Sequence, residues 1–140
     1  MKALIRYRTD DERMVQERVI REEWHRYWGK GIDIVYRDAK APLYLEDIMG
    51  SSQILMVADM TSVGTKLTET FENILWLKGR GFRLIVLEGA IDLRPPYSDQ
   101  KSHQFLDTIQ ELDKVNKNLI GYYLPRVPKG KPKGLSLIHI

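Results

Sequence analysis

The spacing of apolar residues along this chain changes period several times, and each change marks an element. Ala3 to Tyr7 predicts a short first strand. The period then lengthens: Val15, Val19, Ile20, Trp24, Tyr27 and Trp28 form one helical stripe, and Glu12, Arg13, Glu17, Arg18, Arg21 and Glu22 cover the outside. Asp10 or Asp11 is a fitting N-cap for a helix that starts near Glu12 and runs to about Trp28, where Gly29 and Gly31 close it. Ile32 to Tyr36 predicts a second strand. After a loop from Arg37 to Pro42 a short helix is expected over Leu43 to Met49, and Gly50, Ser51 and Ser52 turn the chain into the next element.

The clearest pattern lies between Ser52 and Leu93. Gln53 to Ala58 and Leu84 to Leu87 have the apolar, β-branched content of strands buried on two faces. Between them Leu67, Phe71, Ile74, Leu75 and Leu77 keep the 3.6 period, with Lys78 beyond, and Gly79 and Gly81 end the helix. The loop MTSVGT that enters this helix carries no charge. After a loop over Arg94 to Ser98, Phe105, Leu106, Ile109, Leu112, Val115 and Leu119 predict a last helix from about Asp99 to Leu119, with Gly121 marking its end. Strands and helices thus alternate as β-α-β-α-β-α-β. That order predicts an α/β fold with a mostly parallel sheet of four strands or slightly more, flanked by helices and followed by a long C-terminal helix.

Composition narrows this picture. At 140 residues and 43% hydrophobic content the chain makes one domain with a real core. The expected division is a folded unit over 1–121, a Pro/Gly-rich basic linker over 122–134, and a terminal hexamer over 135–140. That hexamer, LSLIHI, matches the translation of a sequencing-library adapter, so it is set apart from fold reasoning, and the natural chain is expected to continue differently after Gly134. With no cysteine there is neither a disulfide framework nor a thiolate metal site, and a reducing, cytoplasmic setting is expected. No apolar run is long enough for a membrane span, so no membrane association is expected. His25, His103 and His139 are scattered without metal-ligand spacing, and no metal or other cofactor is expected. The net charge of +3 is mild, but Arg126, Lys129, Lys131 and Lys133 cluster without an acid. Such a cluster suits a nucleic-acid backbone, as it also suits a solvated tail.

Three short words placed on these elements, RYRTD, MTSVGT and GAIDL, give the chain its resemblance to the serine recombinases, the resolvases and invertases. It resembles their catalytic domain over roughly residues 3 to 134. In that family a first strand ends in a Tyr-x-Arg-x-Ser segment, a third strand leads into an Asp-Arg-x-x-Arg loop, and a fourth precedes a Gly-Ile-Asp-like segment. The resemblance implies a resolvase-like fold, DNA as partner, a homodimer through the helix over 99–119, and contact of the basic linker with DNA. It also implies a serine nucleophile that forms a phosphoserine bond to DNA, with arginines neutralising the phosphate. Aligned on Arg8, the serine position holds Asp10, and the loop's acid and two arginines become Thr61, Ser62 and Thr65. Asp38 matches an acid after the second strand, and Ala41 stands where a serine is common. The implied function is a recombinase-like domain acting in DNA recombination or its regulation without strand cleavage.

Other readings of these residues stay open. Arg8 is either a retained phosphate contact or a surface arginine paired with Asp10 or Asp38. Thr9 or Ser62 offers a displaced hydroxyl for an active recombinase. Asp10, Asp11 and Asp38 are also the material for a Mg²⁺-dependent phosphohydrolase or nucleotide-binding domain, if their carboxylates converge. Trp24, Tyr27 and Trp28 either stack bases or pack in the core.

Overall fold

One sheet organises the chain, in a computed structural model that describes residues 1–29 and 31–123, with side chains through 119. The elements run β1 (Lys2–Tyr7), α1 (Asp10–Tyr27), β2 (Asp33–Asp38), α2 (Leu45–Met49), β3 (Ile54–Val57), a 3-10 turn (Met60–Ser62), α3 (Leu67–Gly79), β4 (Arg83–Val86), β5 (Ile91–Leu93) and α4 (Gln100–Tyr123). The strands lie in the order β2-β1-β3-β4-β5. The first four are parallel, with Leu4 opposite both Val35 and Val57, and Val57 opposite Val86. The added strand β5 returns antiparallel to β4, pairing Leu84 with Leu93.

Alternation along the strands sorts two cores onto the two faces of the sheet. Leu4, Leu55, Val57, Leu84, Val86 and Leu93 join residues of α2, α3 and α4, among them Ile48, Phe71, Ile74, Leu77, Leu106 and Ile109. Ala3, Ile5, Met56, Ala58 and Ile85 point the other way, against Ile20 and Trp24 of α1. The larger core therefore lies under three helices and the smaller under one. No described helix is long and apolar enough to cross a membrane.

Three local expectations are corrected. Thr9, rather than an aspartate, caps α1: its hydroxyl accepts the Glu12 amide, so Asp10 and Asp11 fall in the first turn, where their charge suits the helix dipole. The buried stripe of α1 is Gln16, Ile20 and Trp24; Val15, Val19, Tyr27 and Trp28 are at the surface. The stripe is rotated because Gln16 is drawn inward by the polar groups at the end of β1. Finally, α4 continues through Gly121 to Tyr123. One glycine costs a helix about 1 kcal/mol relative to alanine, too little to stop a long helix by itself. The linker and hexamer beyond residue 123, with Arg126, Lys129, Lys131, Lys133 and His139, lie outside the described residues.

Candidate functional site

The strand order reverses direction between β1 and β3, and the loops that leave the carboxyl ends of β1, β2 and β3 diverge there. Open parallel sheets bind ligands in this crevice. Here it is a pocket of about 420 Å³ lined by Arg6, Arg8, Glu12, Ala39, Lys40, Thr61, Gly64 and Thr65.

Period two along β1 places Leu4 and Arg6 on one face, and Arg8 follows in the same sequence phase just past the strand. Leu4 enters the large core, so Arg6 enters the sheet's interior behind it, with only 2% of its side chain exposed. A buried guanidinium has to be matched by acceptors. Its Nη1 donates to Glu69 Oε1 of α3 at 2.5 Å, and its Nη2 to the Ala41 carbonyl at 2.9 Å. Its Nε, also buried, makes no hydrogen bond. Burial alone would push the Glu69 carboxyl up; the bond from Arg6 and a 2.9 Å bond from the Thr65 amide outweigh it and hold it below its ordinary value.

Gln16 and Ser62 complete the inner wall. The Gln16 amide donates to the Arg6 carbonyl at 3.0 Å, and the Ser62 hydroxyl donates to Gln16 Oε1 at 3.1 Å while facing the Arg6 amide at 3.4 Å. Ser62 is fully buried, so its hydroxyl ties β1 to α1 and is closed to a macromolecular substrate.

The rim is built from charge. Arg8 is largely exposed and holds the Glu12 carboxylate by Nη2 at 2.8 Å and Nε at 3.2 Å; the Arg8 amide donates to the other carboxylate oxygen at 2.8 Å. Those bonds lower the Glu12 pKa and raise that of Arg8. Lys40 stands across the pocket on the loop after β2, where the Asp38 carboxylate accepts the Lys40 amide at 2.7 Å. Thr61 and Thr65 add hydroxyls, turned toward Asp59 and Glu69 respectively.

Of the residues singled out in the sequence, Arg8 lies at this pocket, beside the buried Arg6 that sequence reasoning passed over. Asp10 is not among the lining residues: it sits outside on α1, 85% exposed, its nearest cation Arg13 at 3.8 Å. Thr9 is occupied as a helix cap. Thr9→Ala should lower stability by about 1 kcal/mol in urea denaturation, as loss of such a cap does. Among the described residues no three acidic or histidine side chains come together as a metal site, so Asp10, Asp11 and Asp38 do not converge. Trp24 is buried in the core, stacked on Trp28 at 5.9 Å; Tyr27 is exposed, and Trp28 lies under the Arg83 guanidinium on the far side of the sheet from α3. His25 is exposed, and His103 pairs with Asp107 along α4. The signal that points to Arg6 is its phase: a lone charge at an inward position of a buried strand.

No protein-family model and no curated protein matches the sequence. Solved structures match its fold. The N-terminal catalytic domain of TP901-1 integrase is similar over 84% of this chain and 96% of that one, with a TM-score of 0.64 at 13% identity. A resolvase family site-specific recombinase from Streptococcus pneumoniae is similar over 84% of this chain and 89% of that one, with a TM-score of 0.56 at 14% identity. The chain thus has the fold of serine recombinase catalytic domains.

Proposed function

We propose that this chain is a serine-recombinase-like domain that engages the DNA backbone through Arg8 and Lys40, at the pocket floored by the buried Arg6, and does not cleave it. The observation that carries this reading is Arg8 at the mouth of that pocket. If the family's Tyr-x-Arg-x-Ser segment is set on the buried Arg6, the serine position falls on Arg8 rather than on Asp10. A guanidinium there attracts a phosphate but is no alcohol nucleophile. Thr61, Ser62 and Thr65 stand at the loop's acid and arginine positions, so the charge that would stabilise a cleaved phosphate is reduced as well.

The same reading gives α4 a role. Leu106 and Ile109 are buried in the core with α3, whereas Leu112, Val115 and Leu119, at i, i+3 and i+7, stay about half exposed. This second stripe is the proposed homodimer contact, and the basic residues Arg126, Lys129, Lys131 and Lys133 are proposed to follow the DNA backbone. Under this reading the domain works in the cytoplasm, in recombination or its regulation.

One preparation tests the proposal. The protein should bind duplex DNA with an affinity that falls steeply with salt, and Arg8→Ala combined with Lys40→Ala should weaken binding about tenfold, as loss of two phosphate contacts does. Incubation with nicked or suicide duplexes should give no covalent protein–DNA band after denaturation. An adduct would overturn the loss of cleavage, and its disappearance in Thr9→Ala would identify the displaced hydroxyl. Sedimentation should return a dimer that Val115→Asp dissociates.

A further inference from the structure

The pocket's exposed arginine already holds an anion, supplied by the chain. Arg8 presents a guanidinium edge, Nε and Nη2, and a backbone amide, and all three donate to the Glu12 carboxylate at 2.8 to 3.2 Å. This is the arrangement in which an arginine fork and a main-chain amide receive two oxygens of a phosphate. Glu12 also lines the pocket, and its carboxylate takes the Arg8 donors that a phosphodiester bound there would need. Lys40, by contrast, makes no ion pair among the described residues.

Helix capping explains part of this contact. Thr9 and Glu12 have the spacing of a capping box, in which a glutamate or glutamine three residues after the cap reaches back to a backbone amide. Glutamine serves that purpose equally well. Capping accounts for the reach of the side chain and the helix dipole favours its charge; in addition, the carboxylate is, among the described residues, the one acid lining a pocket whose other charged residues are Arg6, Arg8 and Lys40.

We infer that Glu12 is an internal competitor for the phosphate: its carboxylate occupies the Arg8 fork and has to be displaced before the DNA backbone can take that position. The inference rests on the proposal that the pocket binds a phosphodiester. Glu12 thereby sets the affinity threshold of the site, because a ligand gains Arg8 only by breaking the Arg8–Glu12 pair.

Glu12→Gln keeps the capping geometry and removes the charge, so it isolates the competition. Binding is read by fluorescence anisotropy of a labelled duplex of arbitrary sequence, titrated with full-length protein across a salt series. Glu12→Gln should bind roughly two- to fivefold more tightly at low salt, the range that displacement of an exposed ion pair allows. The slope of log affinity against log salt should stay close to that of the unaltered protein, because Arg8 meets the phosphate in both complexes once Glu12 is displaced. Glu22→Gln removes the same charge from the exposed side of α1, away from the pocket, and should gain less. Equal gains in the two variants, or a slope in Glu12→Gln steeper by about 0.9, which would mean that Arg8 reaches DNA only in the variant, would overturn the inference. If Arg8→Ala binds as tightly as the unaltered protein, the phosphate-pocket reading itself fails. If Arg8→Ala weakens binding while Glu12→Gln leaves it unchanged, only the competition fails. Coincident urea midpoints of Glu12→Gln and the unaltered protein confirm that the helix start is intact.

Discussion

Gly64→Ala is expected to lower stability by about 2–3 kcal/mol, the cost of forcing a methyl into space that is already filled. A β-carbon built on Gly64 would stand 2.3 Å from Thr70 Oγ1, 2.5 Å from the Thr70 amide nitrogen and 2.6 Å from its α-carbon. The hydroxyl can rotate away; the backbone atoms cannot, because the Thr70 amide is held by the Lys66 carbonyl at 2.9 Å in the first turn of α3. The loop must therefore withdraw from the helix. That movement carries Thr65, whose amide fixes Glu69, and so disturbs the partner of Arg6. Gly79→Ala is the matching control. Its β-carbon would meet nothing within 4 Å, and its position in α3 predicts a change between neutral and a gain of about 1 kcal/mol. The urea midpoint of Gly64→Ala should fall while that of Gly79→Ala stays or rises, with Gly64→Ala also losing DNA affinity and Gly79→Ala keeping it.

The contrast between these glycines shows where the sequence is readable. The strands and α3 between Ser52 and Leu93 are legible because both β3 and β4 are buried on two faces and α3 keeps an unbroken apolar stripe. Strand β5 is not: three residues, Ile91, Asp92 and Leu93, are too few for an alternation to stand out. In α1 periodicity selects Val15 and Val19 over Gln16, since a hydropathy pattern has no means of showing that a buried amide will find the Arg6 carbonyl and the Ser62 hydroxyl. The pocket follows the same logic. Arg8 and the loop words lie beside turns and attract attention, whereas Arg6 is hidden inside a strand, and its partners Glu69 and Ala41 are far from it along the chain. A charge at an inward phase is the readable part; the identity of its counter-ion is a property of the fold.

Arg6→Ala should be the most damaging single change at the site, lowering stability by about 2–4 kcal/mol. Breaking a fully buried ion pair costs about 3–5 kcal/mol because the survivor keeps its desolvation penalty without its partner. Glu69 retains 26% exposure and can recruit some water, which reduces the figure. The pH dependence identifies the mechanism. In the unaltered protein Glu69 is held below its ordinary value, so its contribution is fully present above the unfolded pKa and is lost as pH falls through the folded one. Without Arg6 the bond from the Thr65 amide remains, but the effect of burial is no longer offset by the guanidinium, and the Glu69 carboxyl rises. The deficit of Arg6→Ala should accordingly be largest near neutral pH and shrink on acidification through the carboxylate range. A deficit independent of pH would mean that lost packing of the arginine stem, rather than the stranded carboxylate, dominates. Combining Arg6→Met with Glu69→Leu should recover much of the loss, since two apolar side chains remove both desolvation penalties together. That double variant should remain folded and keep most of its DNA affinity, because the buried pair leaves with both of its charges; Arg6 then acts by holding the sheet's end together, and phosphate binding rests on Arg8 and Lys40.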